Sequence, residues 1–493
     1  MNVADVLTRH ARARPEAPAV IEAGREISYQ AFDGAVWRAG AALRRQGIEP
    51  GQVVGLSLPR SALHLVVLYA LARIGAIQLP LPLREPPLLR EGVARRFGAV
   101  CQVLAGDHAK LPALSHIHAD PAWLEADGPA DESLRTAGGS DGWRIVLSSG
   151  TVAAPKAVLQ SHDASVAWRE ICARMAPVAP EDRFLSHVDF DFYAGVRQCM
   201  EVHWDGAAVL LEERPASGRE LVEAVGRHRV SLLHLNAVHL HPILADLPPG
   251  DRLLPGVRRL RSGAMVSSEA MRAAVRRRLT PNLLVGYGAN EVGSLLTAAN
   301  AEVLDRHPGS VGIPAQGVRL EIVDESGAPL PSGGTGQIRV RTPCMPQRYI
   351  DNPAASALAF RDGWYYPGDL GLLSAEGALY FKGRADDQIN FDGIKLYPAD
   401  IEAVLLEHPA VREAAAFPID SPQHQQVPAA AVVLREKIAT DVLTRWCIER
   451  LGSHAPMVVA AVREMPRNAA GKILKRELAA QVAGHVKAQM ARR

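Results

Sequence analysis

Long apolar runs are missing from this chain. No stretch approaches the ~18 uninterrupted apolar residues that a membrane-spanning helix needs, so no membrane span is expected. Charge of one sign is missing too: 55 Lys and Arg stand against 53 Asp and Glu, a net charge of +2. That balance gives no footprint for nucleic acid or an anionic membrane surface. Cysteine is scarce, with five residues at 101, 172, 199, 344 and 447. They are scattered, odd in number and without the spacing of a zinc site, which argues against a disulfide framework or a structural metal. The first ten residues, Met1 to His10, carry charges where a signal peptide needs an apolar core. A reducing, cytoplasmic setting is the expectation.

What is present is a globular composition on a chain of 493 residues, long enough for two or three domains. Strand and helix patterns alternate up to about residue 300. Ser28 caps an amphipathic stretch running to Leu43. Val53–Leu58 reads as a strand, Ala62–Ala76 as an apolar helix, and Ile77–Leu83 as a short buried strand. This rhythm predicts an α/β fold with doubly wound parallel sheets. From about 310 to 383, turn pairs separate short strands (320–323, 337–341, 379–382), which predicts a β-rich subdomain. After Arg384 a smaller α+β unit is expected, giving an N-terminal core over 1–383 and a C-terminal domain over 384–493.

Four local patterns carry chemistry. Ile145–Leu159 runs from a strand into a loop with Ser148, Ser149, Gly150, Thr151 and Lys156. Small hydroxyls and backbone N–H groups there suit a polyphosphate, and the lysine suits its charge. The spacing is not that of a Walker A loop, and the same composition also suits an ordinary turn. Next, Tyr287-Gly288-Ala289-Asn290-Glu291 follows a strand, where α/β sheets bind ligands. Tyr287 offers a flat face to a base, Asn290 a phosphate contact and Glu291 a magnesium ligand; a solvated loop is the alternative. Asp369, in a Pro-Gly-Asp turn, has two oxygens suited to a pair of ribose hydroxyls. Finally, Lys472 sits after a flexible loop near the C-terminus, a position that elsewhere holds a solvated surface cation.

In this order the motifs, together with Gly383–Gly393, resemble the adenylate-forming superfamily of acyl- and aryl-CoA synthetases, nonribosomal-peptide adenylation domains and luciferases. The resemblance covers nearly the whole chain. It implies ATP-dependent activation of a small carboxylic acid to an acyl-adenylate with release of pyrophosphate. Transfer to the thiol of CoA or of a carrier-protein phosphopantetheine then follows, the carrier acting in trans. The alternative is an amide bond synthetase that passes the acyl group to an amine.

By the same resemblance, Ser148, Ser149, Gly150, Thr151 and Lys156 lie over the outer phosphates. Gly263 and Ala264 form an adenine-side wall, and Tyr287, Asn290 and Glu291 contact adenine, α-phosphate and Mg2+. Asp369 and Arg384 hold the ribose, Asp386 is the hinge, and Gly393 lines the thiol tunnel. Lys472 bridges carboxylate and α-phosphate from a mobile lid domain. Val152, Ala153 and Ala157 stand where the family usually has a threonine and glycines. Asn290 replaces a usual threonine and Asn390 a usual lysine.

The resemblance also assigns the acid pocket to Phe190, Asp191, Tyr193, Gly195, Val238, Met265 and Gly288. Asp191 is read three ways: as a partner for a basic nitrogen on the acid, as a general base for an incoming amine, or as a helix-capping aspartate with Phe190 and Phe192 in the core. His187 and His234 are expected to be satisfied structural residues.

Overall fold

The computed structural model describes the chain except residues 126–131, 135, 137, 148–154, 264–266, 294, 392–393, 422–424, 469–470 and 491–493. Among the described residues, the helices start where the sequence supplies caps. Ser28 Oγ accepts from the Ala31 N–H at the head of Tyr29–Arg45, and Ser61 does the same for His64 at the head of Ala62–Arg73. The second helix is buried on all sides, as its unbroken apolar sequence requires. It ends at Gly75, whose φ of +79° a β-carbon would oppose.

Two parallel-rich sheets form the larger part of the fold. One has seven strands in the order Leu283–Val285, Arg259–Ser262, Leu232–His234, Arg183–Ser186, Ala208–Leu210, Pro18–Glu22 and Arg25–Ser28. Only its last pair is antiparallel. The other has six, in the order Ser115–His118, Ala99–Leu104, Val53–Ser57, Ile77–Pro80, Gly142–Leu147 and Ala157–Ser161. A third, antiparallel sheet is built around Gly336–Arg341 and Asp369–Leu373, and ends with Leu379–Arg384. A separate sheet then starts at Ile389, with Gln425–Leu434 at its centre and its own apolar core around Ile401, Leu405, Leu443 and Val459. Between these last two sheets the chain makes only the short turn Ala385–Asp387. No helix among the described residues is long and apolar enough to cross a membrane.

Candidate active site

The parallel strands of the seven-stranded sheet bring a row of loops to one edge. Val285 pairs with Ser262, Arg261 with His234, and His234 with Ser186. Neighbouring strands lie about 4.8 Å apart, so the loops after them form a continuous rim. The rim is tight. A β-carbon at Gly286 would sit 2.3 Å from Leu295 Cδ1, and one at Gly263 would sit 3.3 Å from the Gly286 carbonyl.

Tyr287 follows Gly286 and is buried. Its N–H donates to Thr297 Oγ1 at 3.2 Å, and its hydroxyl donates to Asp369 Oδ2 at 2.6 Å. Asp369 opens its strand directly across from Arg384, whose Nη1 donates to Asp369 Oδ1 at 3.0 Å and to the Pro367 carbonyl at 2.6 Å. Burial pushes the Asp369 carboxyl up, and the Arg384 charge, the Tyr287 hydroxyl and Lys472 oppose that. Each carboxylate oxygen carries two acceptor sites. The pairing with Tyr287 and Arg384 therefore leaves Asp369 capacity for a further donor.

Lys472 reaches this cluster from the loop between strand Val458–Ala461 and helix Lys475–Met490. Its loop is a closed turn: the Lys472 N–H donates to Asn468 Oδ1 at 3.0 Å, and the Asn468 N–H returns to the Lys472 carbonyl at 2.9 Å. Gly471, at φ +80°, allows the reversal. The side chain is reachable by water, yet surrounding protein and the Arg384 charge lower its pKa, against Asp387 and Asp369. The structure thus brings Tyr287, Asp369, Arg384 and Lys472 together.

A second group adjoins it. The loop Ala289–Gly293 closes on itself through two backbone hydrogen bonds of 3.0 and 2.8 Å, holding Asn290 and Glu291 half-buried. Gly293 has φ +121°, and a β-carbon there would meet the Trp168 ring at 2.4 Å. The Tyr349 hydroxyl donates to Glu291 Oε1 at 3.1 Å, and Lys156 Nζ lies 5.3 Å from the centre of the same tyrosine ring. Glu291 and Lys156 therefore meet around Tyr349, which the sequence reading had not singled out. No cluster of three or more metal-binding side chains occurs among the described residues. One carboxylate fits Mg2+ all the same, because that ion takes one or two carboxylates and completes its shell with substrate phosphates and water. Ser148, Ser149, Gly150, Thr151, Val152, Ala153, Ala264, Met265 and Gly393 lie outside the described residues.

On the acid side, Asp191 Oδ2 accepts from Arg84 Nη1 at 2.8 Å, and the Arg84 guanidinium lies 4.5 Å over the Phe192 ring. Beneath them, buried Arg144 donates to the Phe190 carbonyl at 2.7 Å and to Gln78 Oε1 at 3.1 Å. Burial raises the Asp191 pKa against the Arg84 charge; Asp189 adds to the rise and Arg144 opposes it. The capping reading of Asp191 is corrected. The N-cap of helix Tyr193–Trp204 is Phe192, with no side-chain cap, because Asp191 turns outward to Arg84. Phe190 and Tyr193 are buried, Phe190 against His64 at 5.3 Å and Tyr193 against Trp143 at 6.3 Å, while Phe192 is half-buried under Arg84. Val238 is half-buried on helix Ala237–Ala245. Arg84 and Arg144 were not singled out from the sequence. Arg144 had a signal, a lone cation in the apolar strand Gly142–Leu147.

Gly195 has a packing reason. A β-carbon there would lie 2.4 Å from the Asp189 carbonyl oxygen. Gly195→Ala is expected to lower stability by about 1–3 kcal/mol through overpacking, read as a lower urea midpoint with unchanged slope.

Comparison with known proteins places the chain in a family. Residues 7–350 match the family described as AMP-binding enzyme, and residues 400–472 match the AMP-binding enzyme C-terminal domain. The chain belongs to this family of AMP-binding enzymes. Within it, the chain is a ligase of the acyl-CoA synthetase kind, activating a carboxylic acid as an acyl-adenylate before transfer. It is similar to a feruloyl-CoA synthase of Amycolatopsis sp. (29% identity, covering 95% of this chain and 97% of the relative). Among solved structures it resembles the amide bond synthetase McbA from Marinactinospora thermotolerans (26% identity, TM-score 0.86, covering 97% and 99%). The fold is also that of o-succinylbenzoate CoA synthetase from Bacillus subtilis, solved with ATP and magnesium ion (23% identity, TM-score 0.86, covering 96% and 98%).

Proposed function

We propose that this protein joins a small, aromatic carboxylic acid to the thiol of CoA, using ATP with Mg2+. The observation that carries the reading is Lys472 in the field of Asp369 and Arg384, a loop cation beside the cluster that Asp369 forms with Tyr287 and Arg384. In the first step a carboxylate oxygen bonds to the α-phosphorus of ATP, and the bond to the bridging oxygen breaks to release pyrophosphate. In the second, the thiol sulfur bonds to the acyl carbon and AMP leaves with that carboxylate oxygen, while the thiol proton passes to solvent.

Two anions approach each other in the first step, so a positioned cation removes repulsion where charge accumulates. That is the role assigned to Lys472. Tyr287 stacks on the base, with Gly263 and Ala264 beside it. Asp369 and Arg384 hold the ribose, and Asn290 meets the α-phosphate. Glu291 would hold Mg2+, which supplies charge neutralisation on the phosphates when bound. Ser148, Ser149, Gly150, Thr151 and Lys156 close over the outer phosphates. Phe190, Asp191, Tyr193, Gly195, Val238, Met265 and Gly288 surround the acid, with Phe190, Tyr193 and Gly195 acting from behind its wall.

We assign the core to 1–383, with its β-rich part at about 310–383, and a lid to 384–493. The hinge is at exposed Asp386 in the turn Ala385–Asp387. Rotation there withdraws Lys472 and opens a path past Gly393 for the thiol. The cysteines, buried and without disulfides, suit a cytoplasmic protein.

A second reading keeps the first step and hands the acyl group to an amine. Asp191 favours it as a half-buried carboxylate on the acid side, able to take an amine proton. A carrier-protein phosphopantetheine in trans is the other acceptor. The deciding experiment measures pyrophosphate release with a panel of aromatic, aliphatic and amino acids, then identifies products by mass spectrometry with CoA, a loaded carrier or simple amines. Thioester with CoA supports the proposal. Amide as the main product replaces it with the second reading, and no pyrophosphate with any acid removes both.

The pH profile provides another check. Lys472 must be protonated to act, and its pKa is lowered from 10.5. Adenylation is therefore expected to fall with rising pH before an ordinary lysine would titrate. Pyrophosphate release measured across pH 7–11 reads this limb, and Lys472→Arg should move it to higher pH while keeping part of the rate.

A further inference from the structure

Tyr349 is 4% exposed and stands between Glu291 and Lys156. Neighbouring contacts fix its place. Its N–H donates to Ser356 Oγ at 3.0 Å, and its ring packs edge-on against Phe360 with centres 5.1 Å apart. The next N–H, that of Ile350, donates to the Ala157 carbonyl at 2.8 Å. Arg96 Nη1 donates to the Pro155 carbonyl at 2.9 Å. The backbone is thus pinned on either side of Lys156, whose Nζ lies 5.3 Å from the centre of the Tyr349 ring. A cation within about 6 Å of an aromatic face is attracted to it.

The hydroxyl has a direction as well. A carboxylate only accepts, so Tyr349 gives its proton to Glu291 Oε1. The Tyr365 hydroxyl, 3.3 Å away, is then the donor to Tyr349 Oη. Tyr365 ends the short strand Trp364–Tyr365, just before the turn that leads to Asp369. Donation therefore runs from Tyr365 through Tyr349 to Glu291. The Glu291 main chain is held too, because Gln160 Nε2 donates to its carbonyl at 3.4 Å. With Oε1 taken, Glu291 Oε2 has no hydrogen-bond partner among the described residues.

A buried tyrosine hydroxyl that served packing alone would need only an acceptor, and any backbone carbonyl supplies one. Here the acceptor is the side chain assigned to Mg2+, and the same ring carries the lysine assigned to the outer phosphates.

We propose that Tyr349 is a positioning residue for the phosphate side of the reaction: its hydroxyl holds Glu291 with Oε2 turned to Mg2+, and its ring holds Lys156 beside it. The inference rests on the proposed role of Glu291 in holding Mg2+. Removing a partner that orients a metal-binding side chain typically changes metal affinity by about 10–100-fold.

The test measures ATP binding by titration calorimetry in the absence of acid, with and without Mg2+. Tyr349→Phe keeps the ring, its contact with Phe360 and the face under Lys156, and removes only the hydroxyl. It is expected to weaken ATP binding with Mg2+ by about tenfold or more and to leave binding without Mg2+ within about twofold. In pyrophosphate release, the Mg2+ concentration at half-maximal rate should rise by a like factor. Tyr349→Leu, which removes the ring as well, should also weaken binding without Mg2+. Glu291→Gln provides the reference. It should remove most of the Mg2+-dependent affinity, and Tyr349→Phe added to it should change little more, because the hydroxyl acts through that carboxylate.

Circular dichroism checks the fold of each variant, and Tyr349→Phe decides should Tyr349→Leu not fold. Equal loss with and without Mg2+ in Tyr349→Phe, or no loss in either, overturns the inference, as does a fully additive loss in the double variant. Unchanged Mg2+-free binding in folded Tyr349→Leu overturns the part assigned to the ring. Should Glu291→Gln itself leave the Mg2+ dependence intact, the metal role of Glu291 falls as well, which separates the two failures.

Discussion

Lys472→Ala is expected to lower acyl-adenylate formation by about 10²–10³-fold or more, the usual cost of removing one positioned group that stabilises developing charge. The same variant, given premade acyl-adenylate and CoA, should form thioester at close to the wild-type rate. The split follows from the geometry. Lys472 lies in the electrostatic field of Asp369 and Arg384, on a loop closed by Asn468. It lies on the loop between strand Val458–Ala461 and helix Lys475–Met490, outside the sheet that carries Asp369, so it can leave the cradle without disturbing Tyr287 or Asp369. Single-turnover assays of the two half-reactions read the two rates separately. Equal loss in both would mean that the lysine supports the site as a whole and not the first step.

Asp369→Ala should have the second large effect, and it divides between stability and activity. The Tyr287 hydroxyl, buried and 2.6 Å from Asp369, would lose its acceptor at a cost of about 1–3 kcal/mol. Arg384, with 34% of its side chain exposed, can rehydrate, so its half of the ion pair adds little. Activity falls further. On the role proposed for Asp369 at the ribose, loss of charge-assisted bonds to two hydroxyls, each worth about 1.5–3 kcal/mol, predicts about 10²-fold or more in kcat/KM for ATP. Asp369→Asn keeps the shape and an acceptor for Tyr287, so it should recover the melting temperature while leaving ATP use impaired. Recovery of both would place Asp369 in the scaffold alone.

The sequence made visible those parts of this architecture that local chemistry writes. Ser28 and Ser61 mark helix starts because a side-chain oxygen must meet the first free N–H groups, and both caps form. The short strands around Gln337–Arg341 and Leu379–Arg384 were legible from turn residues and alternation. The residues of the cradle were legible as motifs, but not as a cluster. Tyr287 and Asp369 are 82 positions apart and Arg84 and Asp191 are 107, and only the fold joins them. Arg84 was invisible because a lone arginine in a loop has no pattern.

The central claim is that a carboxylate oxygen of the acid attacks the α-phosphorus beside Lys472. Acid labelled with 18O in both carboxyl oxygens, turned over with ATP and CoA, should deliver one labelled oxygen into each AMP and none into pyrophosphate. AMP without label, or label in inorganic phosphate, would contradict it.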